Sequence, residues 1–264
     1  MTTTRQFSLA LEAMVGLNSE GASLPLQPKP VLAAPSLSGV LSEIGSLPRE
    51  ALFVGIAPDG LPVLLNLHDS IPGPLLITGD VGAGKTSFLR MIARAVQQTH
   101  RAENVQFGVI THKPDEWEDI PATNHCLGIF SANHNAAQDF LIWLSSWAHT
   151  NKSRQSVLLL IDDLEAVTKM DSDALQNLRW LLLRGPSHRA WPIVTMNAER
   201  YSETLAWIAM FRTRIFGRIE KKHIADAVGA DQASELDRLE AGIQFSLREN
   251  ENWLRFWLPN CSEF

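Results

Sequence analysis

At 264 residues, 45% of them hydrophobic, the chain has material for a full core, enough for one domain built around a covered sheet. A formal charge of −6 excludes a molecule that attracts nucleic acid over its whole surface, so any DNA contact has to be local. Two cysteines, Cys126 and Cys261, fit neither a disulfide framework nor a metal-ligand spacing, so reduced thiols in a cytoplasmic protein are expected.

Residues 1–48 read as an N-terminal arm. Arg5 to Leu17 suits one short helix, and Gly21 to Ser38, rich in Pro, Ser and Ala, suits an extended linker. No apolar run approaches the ~20 residues that cross a bilayer, and Met1 to Gly21 lacks the basic start and compact apolar stretch of a signal peptide. No membrane segment is therefore expected. From Leu52 the pattern turns to strand: Leu52 to Ile56, a turn at Pro58-Asp59-Gly60, then Val63 to Leu67, which together make a hairpin.

Leu75 to Thr78 reads as a buried strand and Thr86 to Gln98 as a helix. Between them, Gly79-Asp80-Val81-Gly82-Ala83-Gly84-Lys85-Thr86 fits the pattern G-x-x-x-x-G-K-[ST], with Ser87 next. Glycines let such a loop curl so that successive backbone N–H groups face phosphates, and the helix adds its positive N-terminal end. Lys85 would reach the β- and γ-phosphates of ATP, and Thr86 would hold Mg²⁺. The plain alternative is a glycine-rich turn that binds nothing.

Strand and helix then alternate. Val105 to Thr111 reads as a strand, Ala136 to His149 as a helix, and Val157 to Ile161 as a strand running into Asp162 and Asp163. Asp173 to Arg184 reads as a helix, Ile193 to Asn197 as a strand, Ser202 to Phe211 as a helix and Arg214 to Ile219 as a strand. Two short helices, Lys222 to Val228 and Gln232 to Leu239, precede a closing pair, Ile243 to Leu247 and Trp253 to Leu258, with a turn at Arg248-Glu249-Asn250-Glu251. Such alternation specifies a three-layer α/β fold with a mainly parallel central sheet, a β-hairpin before it and another after it.

A continuous apolar strand ending in two carboxylates delivers those acids to the sheet's C-terminal edge, facing the loop. Asp162 would orient the Mg²⁺ shell and Asp163 would polarise the attacking water; capping of a helix at Leu164 is the alternative use of the pair. Asn197 ends the next strand, where its amide could reach the γ-phosphate or the water, or simply form a turn. Trp143, Trp147 and Trp180 lie among Leu and Ile at helical spacing and read as core. His112 and His125 have no carboxylate or cysteine spacing that makes a metal site.

With these residues placed, residues 50–258 resemble the motor domain of the FtsK/SpoIIIE and HerA group of P-loop ATPases. The likeness rests on the hairpin Val54 to Val63, the loop from Leu75 to Thr86, the segment Ile110 to Trp117, the acid-bearing strand, Leu183-Arg184-Gly185, Ile193 to Asn197, and Thr213-Arg214-Ile215-Phe216-Gly217-Arg218-Ile219. The resemblance implies a RecA/FtsK-like ATPase domain over residues 49–264, a ring, a homohexamer, and double-stranded DNA as cargo. It also implies a trans-acting Arg214, with Arg184 and Arg189 as further candidates. Related motors move polypeptide, and a nucleotide-dependent switch with weak hydrolysis is a further alternative. Where the family has Asp-Glu this chain has Asp162-Asp163, and the lost methylene draws the second carboxylate back by about 1.5 Å. A displacement of that size can cost ~100-fold in rate, so hydrolysis is expected to be slow or to depend on Glu165 or a rearranged water. The membrane segments and C-terminal winged-helix module that many FtsK proteins carry have no counterpart in the sequence, so membrane tethering and sequence-directed loading by that route are not expected, and an unidentified loading protein is a further partner left open.

Overall fold

In the computed structural model, residues 35–231, 234–249 and 252–261 are described. The proposed helix at Arg5 to Leu17, and the linker up to residue 34, lie outside them. In chain order the elements are α1 (Leu37–Ile44), β1 (Ala51–Ile56), β2 (Pro62–Asn66), β3 (Leu75–Gly79), α2 (Lys85–Thr99), β4 (Val105–Thr111) and β5 (Cys126–Ser131). Then come α3 (Asn135–Thr150), β6 (Ser156–Asp162), α4 (Leu164–Val167), α5 (Ser172–Arg184), β7 (Ala190–Asn197), α6 (Tyr201–Ile208), β8 (Thr213–Phe216), α7 (Lys222–Ala227), β9 (Gln244–Glu249) and β10 (Asn252–Trp257).

The described strands form one ten-stranded sheet in the order β2-β1-β10-β9-β8-β3-β7-β6-β4-β5. From β8 to β5 the neighbours run parallel, because each crossover returns the chain to the same edge. The two hairpins are antiparallel and join each other through β1 and β10, extending the sheet on one side. Register fixes the C-terminal edge: Gly79 lies beside Asn197, and Asp162 beside Thr111, which lies beside Ser131.

β6 is buried along its whole length. Its side chains alternate between faces, so Val157, Leu159 and Ile161 join Leu141, Leu144 and Leu178 in one core while Leu158 and Leu160 point to the other face. α2 crosses the sheet against β1, β3, β4, β6 and β7; α3 and α5 pack on each other and against β7. Trp147 and Trp180 pack against this core, but Trp143 stands 45% exposed, stacked on Phe140 and Trp147, which corrects its reading as a core residue.

Residues 35–48, part of the stretch read as an arm, hold α1. Ser36 caps it by accepting from Gly39 N–H, and the chain pairs with Asn260 on both sides of the cap. Leu37, Val40 and Leu41 are buried, and the helix packs on α2. β5 leaves no signature in the sequence: it is an edge strand, half-buried at every position and interrupted by Gly128, so it shows no alternation. The connection at residues 250–251 lies outside the described residues.

Candidate functional site

β3 delivers Gly79 to the sheet edge, and the chain then curls through residues 80–84 into α2. Gly82 and Gly84 have φ of 80° and 87°, values open to glycine but strained for other residues. Gly84 has a second constraint: a Cβ there would lie 2.6 Å from Gly242 Cα and 2.8 Å from its carbonyl oxygen. The loop's start is fixed from the β8 side, where Asp80 N–H donates to Arg218 O (2.9 Å) and the Asp80 carboxylate accepts from Glu220 N–H (2.8 Å). Val81, at the tip, is 80% exposed. Ala83 is buried beneath it, and Ser87, in the first turn of α2, opens onto a cleft of about 640 Å³ shared with Arg90, Ile243 and Cys261.

Lys85 Nζ turns back over the loop and donates to Gly79 O (3.0 Å) and Asp80 O (2.7 Å). Burial lowers its pKa, while the charges of Asp163, Glu165, Asp162 and Asp80 hold it up. Thr86 Oγ1 donates to Asp162 Oδ1 at 3.1 Å, joining residues 76 positions apart. Thr195 Oγ1 donates to the same carboxylate oxygen, also at 3.1 Å. Burial pushes the Asp162 pKa up, and the hydroxyls of Thr86 and Thr195 draw it back down. The indole of the fully buried Trp117 lies beside this carboxylate.

Asp163 leaves β6 with φ 88° and ψ 100°, a rare conformation for a residue with a side chain. Its N–H donates to Thr195 Oγ1 at 2.7 Å, so one hydroxyl fixes both aspartates. Glu165 follows in α4, 3% exposed, its oxygens without a hydrogen-bond partner among the described residues apart from the Asp163 carboxyl. Burial, then the facing Asp163 carboxyl, push its pKa up to about 8.

The donor set fits MgATP. A hydroxyl and a carboxylate suited to Mg²⁺ already meet, and an ammonium rests on carbonyl oxygens that phosphate oxygens can replace, within a loop whose left-handed glycines turn it around that point. The structure thus brings Gly79 to Ser87, Asp162 and Asp163 together at one edge. Asn197 stands beside Gly79, but its side-chain oxygen accepts from Glu199 N–H (3.2 Å) and forms the turn that the sequence offered as its other role.

The arginines fall elsewhere. β8 spans only Thr213–Phe216, so Arg214 lies on the strand, whereas Arg212 precedes it and Arg218 lies beyond it against the loop. Arg214 is turned into its own chain, donating to Val228 O (3.0 Å) and Ile208 O (3.2 Å), and a trans-acting role would require both bonds to break. Arg189 meets His68 Nδ1 (2.9 Å), while Arg184 and Arg212 line a small cavity of about 200 Å³ with Gly73 and Met210. Sequence reasoning missed Thr195. Its only trace was a polar residue inside an apolar strand, two positions before Asn197 and hence on the same face.

The sequence profile of the AAA domain family (AAA_22) matches residues 68–202, which include the loop, both aspartates, Glu165 and Asn197. No curated protein matches the chain. Among solved structures, Thermomonospora curvata EccC (ATPases 2 and 3), in complex with a signal sequence peptide, is similar at a TM-score of 0.68 and 15% identity, over 97% of this chain and 48% of that one. EssC (ATPases 2 and 3) from Geobacillus thermodenitrificans is similar at 0.67 and 12%, over 92% and 49%. The pCW3 conjugation coupling protein TcpA, in a monomer form with ATPγS, is similar at 0.64 and 13%, over 86% and 70%. The chain thus spans less than half of the EccC and EssC chains, and identities this low speak for the fold alone. The match covers 135 of the 264 residues (202 − 68 + 1) and includes the whole loop-and-carboxylate site: the chain belongs to the AAA domain family and carries a P-loop ATPase domain.

Proposed function

We propose that the chain is an Mg²⁺-dependent ATP-hydrolysing motor domain of the FtsK/SpoIIIE/HerA type, assembled as a homohexameric ring that moves double-stranded DNA. The observation that carries the nucleotide chemistry is the Thr86–Asp162 hydrogen bond beside Lys85. Amides from Gly79 to Ser87 bind the phosphates, Lys85 pairs with the β- and γ-phosphates, and the nucleoside occupies the cleft beyond Ser87. Thr86 and Asp162 hold Mg²⁺, which when bound withdraws charge from the phosphate oxygens. Asp163 orients the attacking water, and Asn197 contributes its amide N–H₂ to the γ-phosphate. Arg214 acts in trans only in a state that frees it from Val228 and Ile208.

The fold shared with secretion and conjugation ATPases supports the motor reading, and TcpA, a conjugation coupling protein, supports DNA as cargo. A second reading, polypeptide cargo, is favoured by the signal-peptide complex of EccC and by the net charge of −6. Lys85→Ala is expected to abolish ATP binding measured by calorimetry, and unaltered affinity overturns the site. Stimulation of turnover by duplex DNA, fading as salt rises, supports DNA as cargo; turnover indifferent to duplex selects polypeptide.

A further inference from the structure

Asp163 is one methylene shorter than the glutamate that the resemblance leads one to expect, and its backbone is twisted to φ 88°. Two residues on, the structure holds a buried carboxyl group that faces the Asp163 carboxyl. Glu165 is 3% exposed, yet among the described residues its oxygens find no hydrogen-bond partner apart from the Asp163 carboxyl, and no lysine or arginine forms an ion pair with it. A buried acid normally has donors around it, since leaving one unsatisfied is costly. What Glu165 does have is the facing Asp163 carboxyl, with Lys85 and Arg200 within its electrostatic reach.

We infer that Glu165 is a catalytic residue: paired with Asp163, it holds the attacking water and takes its proton, supplying the reach that Asp163 lacks. In the step, the water oxygen forms a bond to the γ-phosphorus, and the bond from that phosphorus to the β,γ-bridging oxygen breaks. The electron pair of the broken bond leaves on ADP. The water's proton passes to the Asp163–Glu165 pair and from there to solvent, so that ATP and water become ADP, inorganic phosphate and a proton. This rests on the hydrolysis reading proposed above.

The test uses the full chain and compares the parent with Glu165→Gln, Asp163→Asn, the double variant and Glu165→Asp. Turnover, affinity for Mg²⁺–ATPγS, and affinity for ADP–aluminium fluoride relative to ADP are measured, with urea unfolding as a folding control. Glu165→Gln is expected to slow turnover on the order of 100-fold, within the usual range for losing a general base, while ATPγS affinity stays unchanged. ADP–aluminium fluoride, which mimics the transition state, is expected to bind at least ~10-fold more weakly relative to ADP. The double variant is expected to be no slower than the slower single variant, because the two acids act as one unit. Glu165→Asp keeps the carboxyl group but shortens the reach, and is expected to lose turnover too. If the parent hydrolyses ATP and Glu165→Gln or Glu165→Asp matches it, the inference is overturned while the function stands. If the folded parent binds ATPγS but never turns over ATP, the hydrolysis reading fails and the inference falls with it.

Discussion

Asp163 is held at a left-handed φ by one hydrogen bond to a threonine, and that places the strain of the site on a single hydroxyl. Backbone in such regions costs about 1–3 kcal/mol and persists only where neighbours enforce it. Thr195 does so while also donating to Asp162. Thr195→Val removes both bonds at equal volume and is expected to destabilise by about 1–3 kcal/mol in urea unfolding, whereas Thr195→Ser should stay near the parent. The valine variant should also weaken Mg²⁺-dependent ATPγS binding, since Asp162 loses one of its two hydroxyl donors. Glu165 gives a pH signature in nucleotide-free, Mg²⁺-free protein. Its pKa is raised from 4.5 to about 8 by folding, so between those values the folded state binds more protons than the unfolded one. Stability therefore falls as pH rises through that window, by at most about 1.4 kcal/mol per pH unit from this group. Glu165→Gln should flatten the slope and exceed the parent in stability at the alkaline end; an unchanged slope in chemical unfolding at several pH values refutes the assignment. The sequence exposed the parts of this site that follow a fixed spacing, from Gly79 to Ser87 and at Asp162-Asp163. It concealed Thr195 and the approach of Glu165 to Asp163, because those depend on strand register and on a backbone twist that no local pattern encodes.

The loop works as an element only because a distant turn leaves room for it. Gly242 lies against Gly84, so Gly84→Ala meets both a disfavoured φ and a backbone contact at 2.6 Å. Loss of ATP binding together with a lower melting temperature is expected, read by calorimetry and thermal unfolding. At the other side of the sheet, Gly55 allows β1 to reach β10: a Cβ there would lie 2.5 Å from the Phe256 ring and 2.8 Å from Trp257 O. Gly55→Ala should cost about 1–3 kcal/mol by overpacking the junction, with ATPγS affinity preserved below the melting transition. Most of these elements were legible where burial is one-sided or complete, as in the amphipathic α2 and the apolar β6. β5 was not, because an edge strand with a glycine in the middle has neither alternation nor a continuous apolar run. β8 was overextended for a different reason: Gly217 to Ile219 keep the apolar texture of a strand, but Gly217 donates to Thr78 O and the chain then turns over the loop, where Arg218 O receives Asp80 N–H.

At the scale of the whole molecule, four described cations around the nucleotide site are already matched by acids. Arg218 pairs with Glu220, Lys221 with Glu199, Lys113 with Glu116 and Arg200 with Glu203. Arg218 and Lys221 line the cavity beside Asp80 and Val81, Lys113 lies within the field of the two aspartates, and Arg200 within that of Glu165. Lys85 aside, then, a single chain presents the γ-phosphate with cations that its own glutamates partly neutralise. Hydrolysis builds negative charge on the transferred phosphoryl group, and an additional arginine at that point is worth roughly 10³–10⁵ in rate where ATPases and GTPases use one. In the proposed ring the adjacent copy would supply such a cation, so turnover should depend on assembly. Specific activity is expected to rise with protein concentration, and sedimentation should show a monomer giving way to a hexamer when ATP and duplex DNA are present together. A chain that remains monomeric under every condition, with the same specific activity at all concentrations, would count against the ring and leave each copy to complete its site alone.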